Sequence, residues 1–443
     1  MKIWLPKPSA CLPSLKGLAL LLAASCAISS QAASDINSKI KQQSLALEQQ
    51  VIAWRRDIHQ HPELGNREFR TAKLVAEHLE KLGIEVQTGV AHTGVVGILR
   101  GNQASPVIAI RADMDALPVS EQVDLPFASK VTTLMDGEKV GVMHACGHDN
   151  HVAILMGVAE LLASMRDQLP GTVKFIFQPA EEGPPPGEQG GAELMVKQGV
   201  MSKPTPDAVI GLHVMPFPVG SVYYTKGSAM ASQDDFSITV KGKQTHGAMP
   251  WGGVDPIVAA SQVVLGLQTV PSRQLNITAG PTIVTVGKIA GGVRSNIIPD
   301  KVEIVGTVRT LMPDAQEEIH HKIRHTAEHI AAATGAKAEV EFQNGYPVTY
   351  NNPELTDKMV AKLQQQLGSD RVKAIPASMG SEDFSYLAQK APGFFFMLGI
   401  VPADQDPVTA AKNHSPYFYA DEAALQVGVE ALSTLAVDFL KKH

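Results

Sequence analysis

Three stretches of this chain, Val107 to Arg111, Val173 to Phe177 and Val209 to Leu212, are apolar almost without interruption. A strand with one face in water alternates apolar and polar residues. A strand that does not alternate is buried on both faces, as in a largely parallel sheet covered by helices on each side. Each run then empties into polar residues. The first leads to Arg111-Ala112-Asp113-Met114-Asp115, the second to Gln178-Pro179-Ala180-Glu181-Glu182-Gly183, the third to His213. Open α/β sheets hold their ligands at the carboxyl ends of strands. The expectation is therefore an α/β fold with a mixed, largely parallel sheet, helices on both faces, and a site along one edge. Helices are expected at Ser34 to His61, Glu68 to Leu82, Ala153 to Met165 and Glu422 to Phe439.

The pattern changes near Ser232. Asp235 to Val240 alternates, and Thr282 to Ile289, Val302 to Val308 and Lys337 to Phe342 are further strands. With helices at Asp255 to Val270 and Asp314 to Thr334, the order is β-α-β-β-α-β, that of a ferredoxin-like unit. Residues 231–345 are thus expected to form an inserted α+β domain, and residues 33–230 with 346–443 the domain that carries the chemistry. The run Gly183-Pro184-Pro185-Pro186-Gly187 reads as a surface loop at the rim of the site.

A net charge of -6 over 443 residues, with no basic stripe, argues against nucleic acid as a partner. The N-terminus carries Lys2, Lys7 and Lys16, an apolar core from Gly17 to Ile28, and small residues at Ser30 and Ala32. That is the pattern of a secretory signal peptide over 1–32, and it implies an exported protein, periplasmic or secreted. Ala23 is a poor residue three before Cys26, which weighs against lipidation there. No later stretch is expected to reach the roughly 18 apolar residues of a membrane helix. Two of the three cysteines, Cys11 and Cys26, fall in the leader, so Cys146 would be alone in the mature chain.

Cys146 lies in Met143-His144-Ala145-Cys146-Gly147-His148-Asp149-Asn150-His151, just before a helix-forming run. Thiolate and imidazole suit borderline-soft divalent metals. Cys146 and His148 alone are a weak pair. Glu181-Glu182 adds two carboxylates of which one could bind metal and the other handle protons. His213 and His414 complete a shell of oxygen, nitrogen and sulfur that could hold two ions. Glu181 fits the proton carrier if Glu182 is the ligand. An oxyanion donor is also needed, and His246, in Gln244-Thr245-His246-Gly247-Ala248-Met249-Pro250, is a candidate.

The ordered motifs RADMDALP, MHACGHDNH, QPAEEG, GLHV, THGAMP with GGVDPI, GGVRSNIIPD, GSEDFS and NHSP resemble those of a family of dinuclear metal amidohydrolases. That family includes hippurate hydrolases, aminoacylases, bacterial carboxypeptidases and auxin-conjugate hydrolases. The resemblance runs from about Leu45 to the C-terminus. It implies that Cys146, His148, Glu182, His213 and His414 bind two divalent metals and that Glu181 is the general base. It also implies that His246 and Asn296 belong to a lid, from which the histidine reaches a neighbouring subunit, and that the lid mediates dimerisation. Asp113 and Asp115 match a metal-site motif whose first position is elsewhere histidine, so both are expected to orient ligands, with Asp115 nearest the chemistry. His144, Asp149 and His151 are expected in supporting or helix-starting roles. Asn296 and Arg294 are further candidates for binding substrate, Arg294 through a carboxylate. The loop after Glu182 is longer than in many relatives, which bears on substrate preference.

The reading is an exported metal-dependent amidohydrolase that cleaves an N-acyl amino acid or short peptide. The metals are zinc, manganese, cobalt or nickel, and the substrate is a small molecule. Its rivals are a cysteine hydrolase with Cys146 as nucleophile, and a non-catalytic periplasmic binder on the same fold.

Overall fold

The computed structural model describes Met1, residues 15–135 and residues 137–442, the side chains of 15–35 excepted. Of the leader expected over 1–32, residues 2–14 lie outside what it describes, and residues 15–32 are the start of the helix Leu15–Gln60. An eight-stranded sheet runs in the order Glu85–Val90, Gly94–Arg100, Thr172–Gln178, Val107–Asp113, Ala208–Pro218, Gly393–Val401, Val222–Tyr224, Val372–Ala374. Its four central strands, Thr172–Gln178 to Gly393–Val401, are parallel, and antiparallel pairs lie to either side.

The apolar runs are explained by the pleat. In Thr172–Gln178, Phe175 and Phe177 enter one core while Ile176 enters another on the opposite face. Phe394 and Phe396 divide from Phe395 and Met397 in the same way. The larger core packs His148–Ser164, the first helix Leu15–Gln60 and Ala423–Lys442 against the sheet. Gly191–Lys197 and Phe384–Ala388 cover the other face. Burying a Phe or Ile side chain at such a position stabilises by about 1.5–3 kcal/mol.

Lys174, inside Thr172–Gln178, donates to the carbonyl oxygens of Val200, Ser202 and Pro204 at 2.7–2.9 Å, so its ammonium is satisfied. Two expectations need correction. Ala208–Pro218 continues past Leu212, because its ladder with Gly393–Val401 extends to Val401↔Pro218; His213 therefore lies inside the strand, opposite Met397. And Ala423–Lys442 is long and apolar enough to cross a membrane, yet 83% of its apolar window is buried, which marks a core helix.

The second sheet, Thr282–Gly291, Lys301–Thr310, Asp234–Lys241 and Lys337–Asn344 in that order, is antiparallel throughout. Its central strands alternate buried and exposed positions. Phe236, Ile238, Val240 and Ile304 form a core with the helices Pro256–Leu267 and Gln316–Ala333. Asp255 caps the first of these helices by accepting from the amides of Ile257 and Val258. Among the described residues no helix covers the opposite face of this sheet, which bears polar residues, among them Asp235, Ser237, Thr307 and Arg309.

Candidate metal centre and active site

Gly147, at φ +91°, turns the chain into His148–Ser164, so Cys146 precedes the helix and His148 opens it. A β-carbon at Gly147 would stand 2.4 Å from the Val214 side chain, so only glycine fits there. From the parallel strands come Asp113, His213 and, just past a strand end, Glu181 and Glu182. His414 arrives from the C-terminal side at φ +70°, its amide donating to the carbonyl of Ala145 at 2.8 Å. Asn413 ties down the same corner by donating to the carbonyls of Cys146 and Val214.

The side chains converge. Ligand atoms of Cys146, His148 and His213 lie within 4.8 Å of one another, as do those of Cys146, Glu182 and His414, and those of His148, Glu181 and Glu182. Cys146 Sγ is 3.4 Å from His213 Nε2, and His414 Nε2 is 2.9 Å from Glu182 Oε1. Each inner imidazole has one nitrogen engaged from behind. His148 Nδ1 meets Asp115 Oδ1 at 3.2 Å, and His213 Nδ1 donates to the carbonyl of Val214 at 2.8 Å. His148 Nε2 is buried without a hydrogen-bond partner, facing the cluster. One nitrogen fixed and the other presented inward is the arrangement of histidines that ligate metal. The thiol, imidazole and carboxylate donors fit two divalent ions.

Asp115 does double duty, since its Oδ2 accepts from the Glu182 amide at 2.9 Å. Asp113 stands one layer out, 2.5 Å from His151 Nδ1 and 2.7 Å from the Arg111 guanidinium, while His151 Nε2 accepts from the Val214 amide. Asp149 faces away, accepting from Arg55 and His59 at 2.7 and 2.8 Å. His144 is buried beside them with neither ring nitrogen hydrogen-bonded.

Burial pushes the Cys146 thiol up, although the neighbouring His148 opposes the rise. A protonated, buried thiol is a poor nucleophile, which counts against the cysteine-hydrolase reading. Burial, reinforced by the charges of His151 and His148, carries His213 down to about 3, whereas hydrogen bonds to Cys146 and Glu182 lift His414 to about 10. Burial works against ionised Glu182, but His414 and His148 hold its carboxyl below the usual range. Metal ligands must shed such protons, so a bound cation competes with them for these sites.

Glu181 has a different setting. Its carboxyl is buried 3.9 Å from His148 Nε2 and clusters with Glu382 and Asp383. Burial, then the charges of Glu382, Glu182 and Asp383, push it well above the usual carboxylate range. Its backbone carbonyl accepts from the Tyr346 hydroxyl at 2.6 Å. Behind it, buried Arg111 reaches Glu382 at 2.9 Å, Asp383 at 3.0 Å and Gln178 at 2.8 Å. Arg111 and the Glu382-Asp383 pair had no role in the sequence reading, because their partners are hundreds of residues apart.

The cluster floors a cavity of about 880 Å³. Gly183 to Gly191, including Pro184, Pro185 and Pro186, forms part of its rim, pinned where Arg67 and Asn66 hold Glu188. Met215, Met230 and Met397 give it an apolar wall, and Arg309, from the second sheet, brings a cation to it. The three candidates from residues 231–345 do not line it. His246, Arg294 and Asn296 are exposed and lie together, with the Gly247 amide on the Asn296 carbonyl; His246 Nδ1 accepts from the amide of Ala248. The expectation that Arg294 meets substrate finds no support within one chain. Arg309 lines the cavity instead. An arginine in an alternating strand looks solvent-facing, and only its hydrogen bonds to the Met379 carbonyl and the Ser381 hydroxyl, in the loop before Glu382, tie it to the cavity.

The profile of peptidase family M20/M25/M40 matches residues 109–438. The thermostable carboxypeptidase 2 of Saccharolobus solfataricus is 41% identical over 92% of this chain and all of its own length. The N-acetylcysteine deacetylase of Bacillus subtilis is 39% identical over 89% of this chain and 98% of its own. Among solved structures, the YXEP protein of Bacillus subtilis, a dinuclear metal binding peptidase, is 37% identical, covers 90% of this chain and 99% of its own, and superposes with a TM-score of 0.75. The chain belongs to peptidase family M20/M25/M40 and is a metal-dependent amidohydrolase that works with two divalent ions.

Proposed function

We propose that this enzyme cleaves the amide bond of an N-acyl amino acid or short peptide, with Glu181 as the group that moves the proton. The observation that carries the reading is the placement of Glu181: a buried carboxyl beside the ligand cluster, fixed through its own backbone by Tyr346. Two divalent ions held by Cys146, His148, Glu182, His213 and His414 would polarise the scissile carbonyl and lower the pKa of a water. Glu181 takes the proton of the attacking water and returns it to the leaving amine. Arg309 faces the substrate carboxylate, and the methionine wall takes the apolar acyl or side-chain group.

Zinc, manganese, cobalt and nickel all suit the mixed donor set. The leader composition supports export to a periplasmic or external compartment. His246, with Asn296 and Arg294, stands outside its own chain's cavity, which supports a homodimer built through residues 231–345 in which each copy serves the other. Glu181→Gln tests the central assignment: metal content should match wild type while kcat falls by roughly 10²–10⁴-fold. Turnover close to wild type would remove Glu181 from the mechanism.

A further inference from the structure

Gln316–Ala333 covers the second sheet with Ile319, Ile323, Ala327 and Ala331. Its exposed side repeats one residue type every four positions, His321, His325 and His329. Residues four apart on an α-helix stand one above the other. The rings of His325 and His329 are stacked with centroids 4.0 Å apart and planes at 28°, and those of His321 and His325 lie 6.1 Å apart at 29°. His329 Nδ1 donates to the carbonyl of His325 at 2.8 Å, which leaves its Nε2 free. Three neighbouring side chains are engaged elsewhere. Lys322 pairs with Glu318 at 3.3 Å, Arg324 donates to the Val340 carbonyl over the Phe342 ring, and His320 turns inward to Asp234.

We propose that this face is a second kind of metal site, holding one late divalent transition-metal ion between His325 and His329. Imidazole suits nickel, copper and zinc, and a pair of histidines one turn apart on a helix is a chelating geometry for such ions. His321 offers a wider, alternative pairing through the shared His325, since the ring separation there is larger. None of the three lines the active-site cavity. The site is therefore independent of the catalytic ions.

The test is calorimetric titration of the metal-loaded full-length enzyme with nickel chloride. Wild type should take up one further nickel per chain. His325→Ala should abolish that uptake, His329→Ala should weaken it by forcing use of the wider pair, and His321→Ala should leave it nearly unchanged. All three positions are exposed, and alanine favours the helix, so circular dichroism should be the same for each variant. The proposal fails if wild type binds no additional nickel, or if His325→Ala binds it as well as wild type does.

Discussion

The two sheets of this enzyme solve opposite problems. The central strands of the eight-stranded sheet are buried on both faces, so the sheet presents its function mostly at or beyond their carboxyl ends, with His213 inside Ala208–Pro218 the exception. The four-stranded sheet is buried on one face only, so its functional surface is the open face, and that is where Arg309 and the polar row beside it lie. What the contrast teaches is that the same residue type carries different information in the two settings. A polar residue ending an apolar run is conspicuous; a polar residue in an alternating strand is ordinary.

The contrast can be broken most severely at Arg111. Its guanidinium is shared by Asp113, Glu382 and Asp383, all buried. Arg111→Met leaves those carboxylates without their cation and should cost about 3–5 kcal/mol of unfolding free energy, read from urea denaturation. A loss below about 1 kcal/mol would mean the network contributes little to stability.

Asp149 sharpens the comparison through pH. Burial alone would raise its carboxyl, but Arg55 and His59 outweigh it and hold the group far below the usual range. A folded-state pKa below the unfolded value, about 3.9, gives a stabilisation fully present above that pH and lost as pH falls below it. Asp149→Asn should therefore lower stability by about 1.5–3 kcal/mol at neutral pH. The gap to wild type should narrow steadily as unfolding is measured below about pH 4. A gap that stays constant with pH would show that charge is not its origin.

The smallest effect belongs to the open sheet. Arg309 donates to the Met379 carbonyl and the Ser381 hydroxyl, and faces the cavity. Arg309→Met should raise KM by about tenfold, near 1.4 kcal/mol, for a carboxylate-bearing substrate while leaving stability within about 0.5 kcal/mol. Equal kinetics on substrates with and without the carboxylate, before and after the change, would remove Arg309 from recognition.

Much of the fold and the inner site could be read from residue order, for physical reasons that stop at definite places. Runs such as Thr172–Gln178 betray burial because every position must be tolerated by one core or the other. Cys146, His148, Glu181, Glu182, His213 and His414 stand out because thiol, imidazole and carboxylate are costly in such surroundings unless paired. The extent of Ala208–Pro218 was hidden, since His213 and Pro216 resemble terminators and only the ladder with Gly393–Val401 carries the strand past them. Arg111, Tyr346 and Arg309 were hidden because their meaning comes from partners distant in sequence. His246, Arg294 and Asn296 look functional by motif, yet one chain alone leaves them outside the cavity.

Two ions held by one shared shell are the centre of this enzyme's chemistry. Anomalous scattering from crystals of the metal-loaded enzyme measures this directly. It should show two peaks within the shell of Cys146, His148, Glu182, His213 and His414, with Glu181 beside them and outside direct coordination. A single peak, or two peaks neither of which touches Cys146, would contradict it.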